Sequence, residues 1–378
     1  MTLRVLHFIY DDPQNPWVGG GGAVRVRELY RHLAGRVRAT VVTGSYPGAR
    51  DETIDGVAYQ RIGAAAPYAW SRLSYAAAAN RLLRRAEYDA AVFDFSTYTP
   101  ILMPRGRPVG ITVHHLTGSS AAARWGRIRG AALGALERWM LRRARVFSAT
   151  SQATLAELRR IVGPGAAIEL VYAGVPDELF TIERRAAGYL LYFGRLDMIQ
   201  KGLDTLLNAF ARLAPRYPEL VLKLAGRGKD AEPVRELAHG LGIADRVELL
   251  GAVSDEERLA LLSGASVQLM PSRFEGFGMA AAEAMAAGVP LVASRAGSLP
   301  EVVDPPHGGV LVPPDDPEAL AEAVARLLDS SAAREALSTS ARASARRFSW
   351  DRVAEDHLGF LHRVAAQGSA PRPRSEMR

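Results

Sequence analysis

Apolar and polar positions follow two periods along this chain, one typical of strands and one typical of helices. In the first half, short apolar runs predict strands at 3–9, 38–43, 90–94, 108–113, 145–149 and 168–172. The helical period between them predicts helices near 23–34, 70–86, 124–143 and 151–162. Strands that alternate with helices are typical of a parallel sheet with helices on both faces.

The second half repeats this scheme. Its runs predict strands at 189–193, 220–225, 246–250, 266–270, 291–293 and 309–312, and helices at 202–215, 230–241, 255–263, 279–287 and 317–328. We therefore expect an α/β fold of two doubly wound, Rossmann-like domains, residues 1–178 and 185–348, facing across a cleft. Because such sheets bind ligands at the carboxyl ends of their strands, the cleft is the expected site.

The end of the chain contains one more predicted element. A helix at about 351–366 is expected to pack back onto the first domain, and the tail 367–378, rich in proline and arginine, is expected to be disordered.

Composition narrows the classes of protein. The chain has no cysteine, which excludes disulfides and a cysteine nucleophile and suits a cytoplasmic location. No apolar run approaches the roughly 20 residues that span a bilayer, and the first apolar run resembles a strand more than a signal peptide. The net charge of +7 favours phosphate-bearing ligands and anionic membrane surfaces.

The most informative pattern lies between the predicted strand 266–270 and the helix at 279–287. Glu275 lies in the loop, and Glu283 follows eight positions later in the helix. Gly276 and Gly278 let backbone N–H groups approach a ligand, and the helix N-terminus suits a pyrophosphate. Since carboxylates accept hydrogen bonds from sugar hydroxyls, we expect the two glutamates to bind hydroxyls on either side of the phosphates. The alternative is an ordinary helix N-terminus with a solvated glutamate.

A second pattern, the run from Phe193 to Gly202, links a predicted strand to a helix. Arg195 and Lys201 bracket this loop, so both can approach one anion, and each charge-assisted hydrogen bond contributes about 1.5–3 kcal/mol. Lysine is otherwise found only at 223 and 229. Its use at 201 indicates that this position needs a compact point charge. The alternative is a pair of ordinary surface cations.

The run Glu275-Gly-Phe-Gly-Met-x3-Glu283-Ala-Met-Ala-x-Gly288-x-Pro290 resembles the E-x7-E signature of the family 4 retaining glycosyltransferases, which have the GT-B fold. The similarity extends from Val18 to Trp350. It implies that Glu275 contacts the transferred sugar and that Glu283 holds the ribose hydroxyls. It also implies that three backbone amides face sugar and phosphate: those of Phe277, Gly278 and Met279.

The resemblance assigns roles to other residues as well. Arg195 and Lys201 would replace a metal in balancing the leaving diphosphate, and since the chain has no Asp-x-Asp, neither a metal nor a cofactor is expected. Gly21 and Gly22, in the run 19–22, would approach a phosphate, although alone they could be a flexible turn. His114 would touch the donor sugar, although a lone histidine at a strand end is more often structural. The family often has His-Asp where this chain has His114-His115.

The implied activity is transfer of a hexosyl unit from a UDP- or GDP-sugar to a hydroxyl acceptor, with retention of anomeric configuration. The acceptor would be a glycan, a lipid-linked glycan or a small molecule. One alternative is an epimerase or hydrolase of the same fold. Another is a basic nucleic-acid-binding protein, but because the sequence contains no recognition module, no nucleic-acid partner is expected.

Residues 124–145 contain seven arginines and one acidic residue, Glu137, with interleaved tryptophans and aliphatic residues. A basic amphipathic helix of this kind can lie on an anionic bilayer, which would place the protein peripherally on the inner face of the cell membrane. The alternative is a surface helix whose apolar stripe packs on its own sheet, which a doubly wound domain requires in any case.

Overall fold

The computed structural model describes residues 2–17, 21–99, 102, 104, 106–116, 126–185 and 187–369. The chain divides into two compact units. Unit 1 comprises Met1–Ala173 and Trp350–Arg378, and unit 2 comprises Gly174–Ser349.

Within its described residues, unit 1 is built on an eight-stranded sheet of order β3-β4-β2-β1-β5-β6-β7-β8. Its strands are β1 Leu3–Phe8, β2 Val37–Gly44, β3 Glu52–Ile54, β4 Val57–Ile62, β5 Ala90–Asp94, β6 Val109–Val113, β7 Val146–Ala149 and β8 Ala167–Leu170. Neighbouring strands are parallel except β3 and β4, which are antiparallel.

Helices cover both faces of this sheet. They are α1 Gly21–His32, α2 Tyr68–Arg85, α3 Arg127–Leu141, α4 Gln152–Val162 and the C-terminal helix Trp350–Ser369. Leu29 of α1 and Leu361 of the C-terminal helix share one buried core. Tyr75 of α2, Met140 of α3 and Leu158 of α4 belong to another. The C-terminal helix therefore belongs to the packing of unit 1.

Unit 2 repeats the plan with six strands that are all parallel, in the order β11-β10-β9-β12-β13-β14 among the residues that the structure describes. The strands are β9 Tyr189–Phe193, β10 Val221–Ala225, β11 Val247–Gly251, β12 Ala265–Met270, β13 Leu291–Ser294 and β14 Val310–Val312. The helices are α5 Met198–Lys201, α6 Leu203–Leu213, α7 Ala231–Gly240, α8 Asp255–Gly264, α9 Met279–Ala286, α10 Leu299–Val303, α11 Pro317–Asp329 and α12 Ser331–Ala345.

Local signals in the sequence explain where several helices begin. The Ser254 hydroxyl and the Glu257 carboxylate form a capping box at the start of α8. Ser151 caps α4 by accepting a hydrogen bond from the Thr154 amide. Asp316 caps α11 in the same way and is followed by a proline at the first helical position.

The prediction of two α/β units with parallel sheets is confirmed, but it missed the β3–β4 hairpin. Asp55 and Gly56 form its turn with φ of 50° and 80°, the positive pair that a type I′ turn requires. The Asp-Gly dipeptide between β-forming residues was the available signal. Helices α5, α10 and α12 were missed as well.

The prediction of a disordered tail from residue 367 is partly wrong, because the C-terminal helix continues to Ser369. The turn that ends at 369 continues the amphipathic helix that packs on unit 1, and Gln367 donates from its side-chain amide to the Val109 carbonyl at 3.3 Å. The rest of the predicted tail, 370–378, lies outside the described residues.

Candidate functional site

The loops that follow β9 and β10 in unit 2 are packed backbone against backbone. A Cβ on Gly226 would lie 1.8 Å from the Gly194 carbonyl oxygen, and one on Gly228 would lie 1.9 Å from that of Leu196. Gly226 also has a φ of 145°, in the region that favours glycine. Only glycine fits these positions, so close packing shapes the edge of the sheet where Arg195 lies.

Lys201 and Glu275, 74 positions apart in the sequence, form an ion pair at this edge. Lys201 is the last residue of α5, after β9, and Glu275 lies in the loop after β12, the neighbouring strand. The Ser272 hydroxyl donates to the same Glu275 oxygen at 2.9 Å. The fold thus joins the two sequence patterns, since both follow adjacent parallel strands.

Gly202 allows this approach. Its φ is 64°, and a Cβ there would lie 2.2 Å from the Pro271 carbonyl oxygen at the end of β12. Asp197 begins the short helix by accepting a hydrogen bond from the Gln200 amide at 2.9 Å. Gly202 therefore allows the close approach that places Lys201 against the loop after β12.

Arg195 is exposed at the same edge. Its Nη2 donates to the Gln200 side-chain carbonyl at 2.7 Å, and the Tyr192 hydroxyl donates to its main-chain carbonyl at 2.7 Å. These contacts leave most of the guanidinium donors toward solvent, where an anion can bind them.

The loop from Glu275 to Met279 is held from its other side by Gly297 and Ser298. The Ser298 hydroxyl donates to the Phe277 carbonyl at 2.7 Å, and a Cβ on Gly297 would lie 2.3 Å from the Glu275 carbonyl oxygen. Gly278 precedes α9 with a φ of 94°, and no side chain caps this helix. The first amides of α9, beginning with Met279, thus have no side-chain acceptor and suit an anion.

The Phe277 side chain turns inward. It is buried and packs edge-on against Phe348 with ring centroids 5.4 Å apart. A ligand could therefore contact Phe277 only through its main chain, and the role of its amide stays a prediction.

Glu283 lies on α9 and pairs with a residue that sequence reasoning missed. Arg258 of α8 donates from Nη1 to Glu283 Oε1 at 3.0 Å. Burial raises the pKa of the Glu283 carboxyl, and the Arg258 charge opposes that rise. The pair presents a carboxylate beside a guanidinium, which together can hold vicinal hydroxyls. The spacing from Arg258 to Glu283 offered no signal.

In unit 1, His114 follows β6 and is held by Asp94 at the end of β5. Its Nε2 lies 2.7 Å from Asp94 Oδ2, and the other Asp94 oxygen lies 2.9 Å from Nε2 of the buried His7. His7 Nδ1 in turn lies 2.8 Å from the Tyr30 hydroxyl. Burial alone would raise the pKa of the Asp94 carboxyl, but His114 and His7 outweigh it and hold that pKa well below its ordinary value.

Asp94 thus holds the His114 ring in this chain, in which a histidine follows His114 and not an aspartate. The two residues are 20 positions apart, so no local motif joins them, although the apolar run that ends in Asp94 was a signal for a strand end.

Gly21 and Gly22 form the first turn of α1, whereas 19 and 20 lie outside the described residues. A Cβ on Gly22 would lie 3.2 Å from an Ile9 methyl and 4.0 Å from an Asp11 carboxylate oxygen, and one on Gly21 would meet nothing within 4 Å. Burial raises the pKa of the Asp11 carboxyl, and the Arg72 charge opposes it. Neither glycine is required by packing.

Helix α3 exposes apolar side chains, which a helix with its whole apolar stripe packed on the sheet would not do. Ile128 is 88% exposed and Trp139 44% exposed, and Leu136 is also exposed, whereas Glu137 and Met140 are buried. Arg143 stacks on the Trp139 ring at 3.6 Å. Positions 124 and 125 of the predicted helix lie outside the described residues. The apolar residues of α3 are therefore divided between the core and solvent.

The described part of the chain lacks two kinds of feature. It contains no cluster of three or more His, Asp or Glu side chains that could hold a metal ion. It contains no helix that is both long and apolar enough to cross a membrane.

Two families match the two halves of the chain. Residues 19–179 match the family described as Glycosyltransferase Family 4. Residues 183–344 match that described as Glycosyl transferases group 1. The two matches divide between residues 179 and 183, a few residues after unit 2 begins at Gly174.

The chain is also similar to individual proteins. It is 34% identical over 306 residues to MMP alpha-(1->4)-mannosyltransferase of Mycolicibacterium hassiacum, covering 76% of this chain and 73% of that protein. It is 36% identical over 208 residues to D-inositol 3-phosphate glycosyltransferase of Corynebacterium urealyticum, where it spans 52% of this chain and 49%, about half, of that protein.

Solved structures share the fold. Sucrose-phosphate synthase from Thermosynechococcus elongatus superposes with a TM-score of 0.80 at 24% identity, covering 96% of this chain and 98% of that one. Anabaena HepE in complex with UDP and glucose superposes with a TM-score of 0.72 at 16% identity, covering 96% and 100%.

Proposed function

Because this chain belongs to the family 4 glycosyltransferases and has the GT-B fold, we propose that it transfers a hexosyl unit from a nucleotide-diphosphate sugar to a hydroxyl acceptor with retention of anomeric configuration. The acceptor would be a glycan, a glycolipid precursor or a small molecule. The observation that carries this proposal is the ion pair between Lys201 and Glu275, which brings a cation and a hydroxyl-binding carboxylate to one point of the unit 2 sheet edge.

In this proposal the site recognises a donor in parts. Arg195, Lys201 and the first amides of α9 bind the diphosphate, Glu275 binds hydroxyls of the transferred sugar, and Glu283 binds the ribose. When the donor binds, the phosphate competes with Glu275 for Lys201, so the ion pair in the free protein keeps both groups in place beforehand. Two cations and helix amides together balance about two negative charges without a metal.

The chemistry that fits this arrangement is a front-face displacement. The acceptor oxygen bonds to the anomeric carbon as the bond from that carbon to the β-phosphate oxygen breaks, and the acceptor proton passes to that phosphate oxygen. The protein contributes position and charge stabilisation. Glu275 accepts from Lys201 and Ser272, which suits a binding group rather than a nucleophile.

For His114 we propose a hydrogen bond to the transferred sugar. Because Nε2 is taken by Asp94, the ring presents Nδ1. The structural likeness to HepE, which was solved with UDP and glucose, supports UDP as the nucleotide of the donor. GDP remains the second candidate nucleotide.

The test is calorimetric titration of the full chain with UDP and with GDP in EDTA, alongside Arg195→Ala. Binding of one nucleotide without metal, weakened in the variant, is the expected result. Binding only when a divalent ion is added would contradict the proposed charge balance. Binding of neither nucleotide would contradict the proposed donor.

A membrane partner is a separate part of the proposal. The solvent-facing apolar residues of α3, Ile128, Leu136 and Trp139, lie among arginines, and the acidic Glu137 is buried, which suits an anionic lipid surface. We expect the chain to sediment with phosphatidylglycerol vesicles and not with phosphatidylcholine vesicles. The double variant Ile128→Ser/Trp139→Ser should lose most of this binding, and unchanged sedimentation would contradict the assignment of α3.

A further inference from the structure

Arg273 lies in the loop after β12, and its guanidinium contacts a different part of the chain. Its Nη1 and Nη2 form a forked pair with the Asp204 carboxylate at 2.9 and 2.7 Å. Nη1 also donates to the carbonyl oxygens of Met198 and Ile199 at 3.2 and 2.9 Å. Nε donates to the Asp315 carboxylate.

Two of these acceptors, the Met198 and Ile199 carbonyls, belong to α5, which has only four residues. A helix this short has no stability of its own. The Gly202 amide donates to the Met198 carbonyl, and the Arg273 guanidinium adds a donor to this carbonyl and to that of Ile199. The Arg273 amide donates to the Gln200 carbonyl at 3.0 Å. Arg273 therefore contacts three of the four carbonyls of α5 and supports its conformation.

Helix α5 in turn sets the two cations of the proposed phosphate site. Lys201 is its last residue, and Gln200 holds the Arg195 guanidinium. We infer that Arg273 is a positioning residue that holds α5, and thereby Lys201 and Arg195, in the geometry that binds the diphosphate of the donor. This inference rests on the proposed function.

Arg273 differs from Lys201 and Arg195 in that two carboxylates pair with it. Asp204 and Asp315 both pair with it, so its charge is already neutralised within unit 2. The forked geometry with Asp204 and the carbonyl contacts both require the planar guanidinium, so a lysine could supply only part of them.

The test is a double-mutant cycle in the full chain, with UDP and GDP affinity as the measurement. Arg273→Ala is expected to weaken binding of the preferred nucleotide by about tenfold, the loss of one or two charge-assisted hydrogen bonds. If Arg273 acts through Lys201 and Arg195, adding Arg273→Ala to Lys201→Ala weakens binding much less than tenfold, because only its effect on Arg195 remains. Losses that multiply would overturn the inference.

Arg246 offers a matched control. Its Nη1 also donates to main-chain carbonyls in unit 2, those of Ala214, Tyr217 and Pro218 at 3.0, 3.2 and 3.1 Å, but these lie away from α5. Arg246→Ala is expected to lower the melting temperature and leave nucleotide affinity unchanged. A loss of affinity equal to that of Arg273→Ala would indicate a general structural effect and overturn the inference.

Arg273→Lys covers the case in which the alanine variant does not fold. It keeps the charge and loses the fork, so we expect an intermediate loss of affinity, and wild-type affinity would overturn the inference. Millimolar methylguanidinium should partly restore binding to Arg273→Ala, and no restoration would count against it. If Lys201→Ala itself leaves affinity unchanged, the proposed function fails; if only the Arg273 variants are silent, this inference alone fails.

Discussion

The carboxyl edges of the two sheets are organised by different means. In unit 2, glycines press loop backbones together, and the charged residues of neighbouring loops pair across them, as Lys201 and Glu275 do. In unit 1, the corresponding position is held by side chains, a buried carboxylate between two imidazoles. Backbone packing suits a rigid site for a ligand of fixed shape, whereas a side-chain network can change with small substitutions.

The largest expected effect tests whether the unit 2 cations carry the chemistry. Lys201→Ala should lower the transfer rate by about 10²–10³-fold, the usual effect of removing one preorganised donor to developing charge. Lys223 is the matched control, since it also pairs with a glutamate, Glu248, at 3.3 Å on the surface of unit 2. Steady-state kinetics should show Lys223→Ala near wild type. Near-normal turnover in Lys201→Ala would remove the basis of the comparison.

The second prediction concerns glycines in the two units. Gly226→Ala places a Cβ 1.8 Å from a carbonyl oxygen at a positive φ, so it should lower the free energy of unfolding of unit 2 by at least about 1–3 kcal/mol. Gly22→Ala in unit 1 meets only the end of the Ile9 side chain at 3.2 Å and should change stability little. Urea denaturation measures both.

If Gly22 is needed for close approach of a phosphate, Gly22→Ala should nevertheless lower activity while the protein stays folded. Full activity of this variant would remove Gly22 from the site and leave the first turn of α1 as a structural element.

The third prediction uses pH to separate the units. Burial holds the pKa of His357, on the C-terminal helix, well below its ordinary value of about 6.5, and the Arg25 charge adds to this effect. The folded state therefore binds fewer protons than the unfolded state, and unit 1 should lose stability as pH falls through about 6.5.

His357→Leu removes this titrating group and should flatten the decline in stability between pH 7 and pH 5, as measured by thermal denaturation. Asp94 adds a further loss only below about pH 4, because its folded pKa is depressed from an ordinary value near 3.9. Glu283 in unit 2 has the opposite sign: its raised pKa means that its contribution weakens as pH rises above about 4.3. An unchanged pH profile in His357→Leu would contradict this assignment.

The smallest effect tests the hydroxyl behind the Glu275 loop. Ser298→Ala removes the hydrogen bond to the Phe277 carbonyl, which should cost about 1 kcal/mol of stability and raise the KM for the donor a few-fold. Ser148 in unit 1 is the control, because its buried hydroxyl donates to Thr112 at 2.9 Å and not to the Glu275 loop. Ser148→Ala should cost similar stability with no change in KM. Equal KM values would show that the loop does not depend on Ser298.

The sequence by itself determined the features that repeat locally. The periods of apolar residues determined both sheets and most helices, because burial on one face requires that spacing. The run from Glu275 to Pro290 determined a loop, a helix and the family resemblance. The hairpin turn at Asp55 and Gly56 was also predictable, because an Asp-Gly dipeptide is typical of such turns.

Only the tertiary structure decided which charges meet. The chain has 47 lysines and arginines and 40 acidic residues. Spacing does not choose among their pairings, because pairs such as Arg258 with Glu283 or His7 with Asp94 are 25 and 87 positions apart. The same holds for Arg273, whose partners are 42 to 75 positions away. Strand order sets these meetings, since it brings loops from distant parts of the chain to the same edge of a sheet.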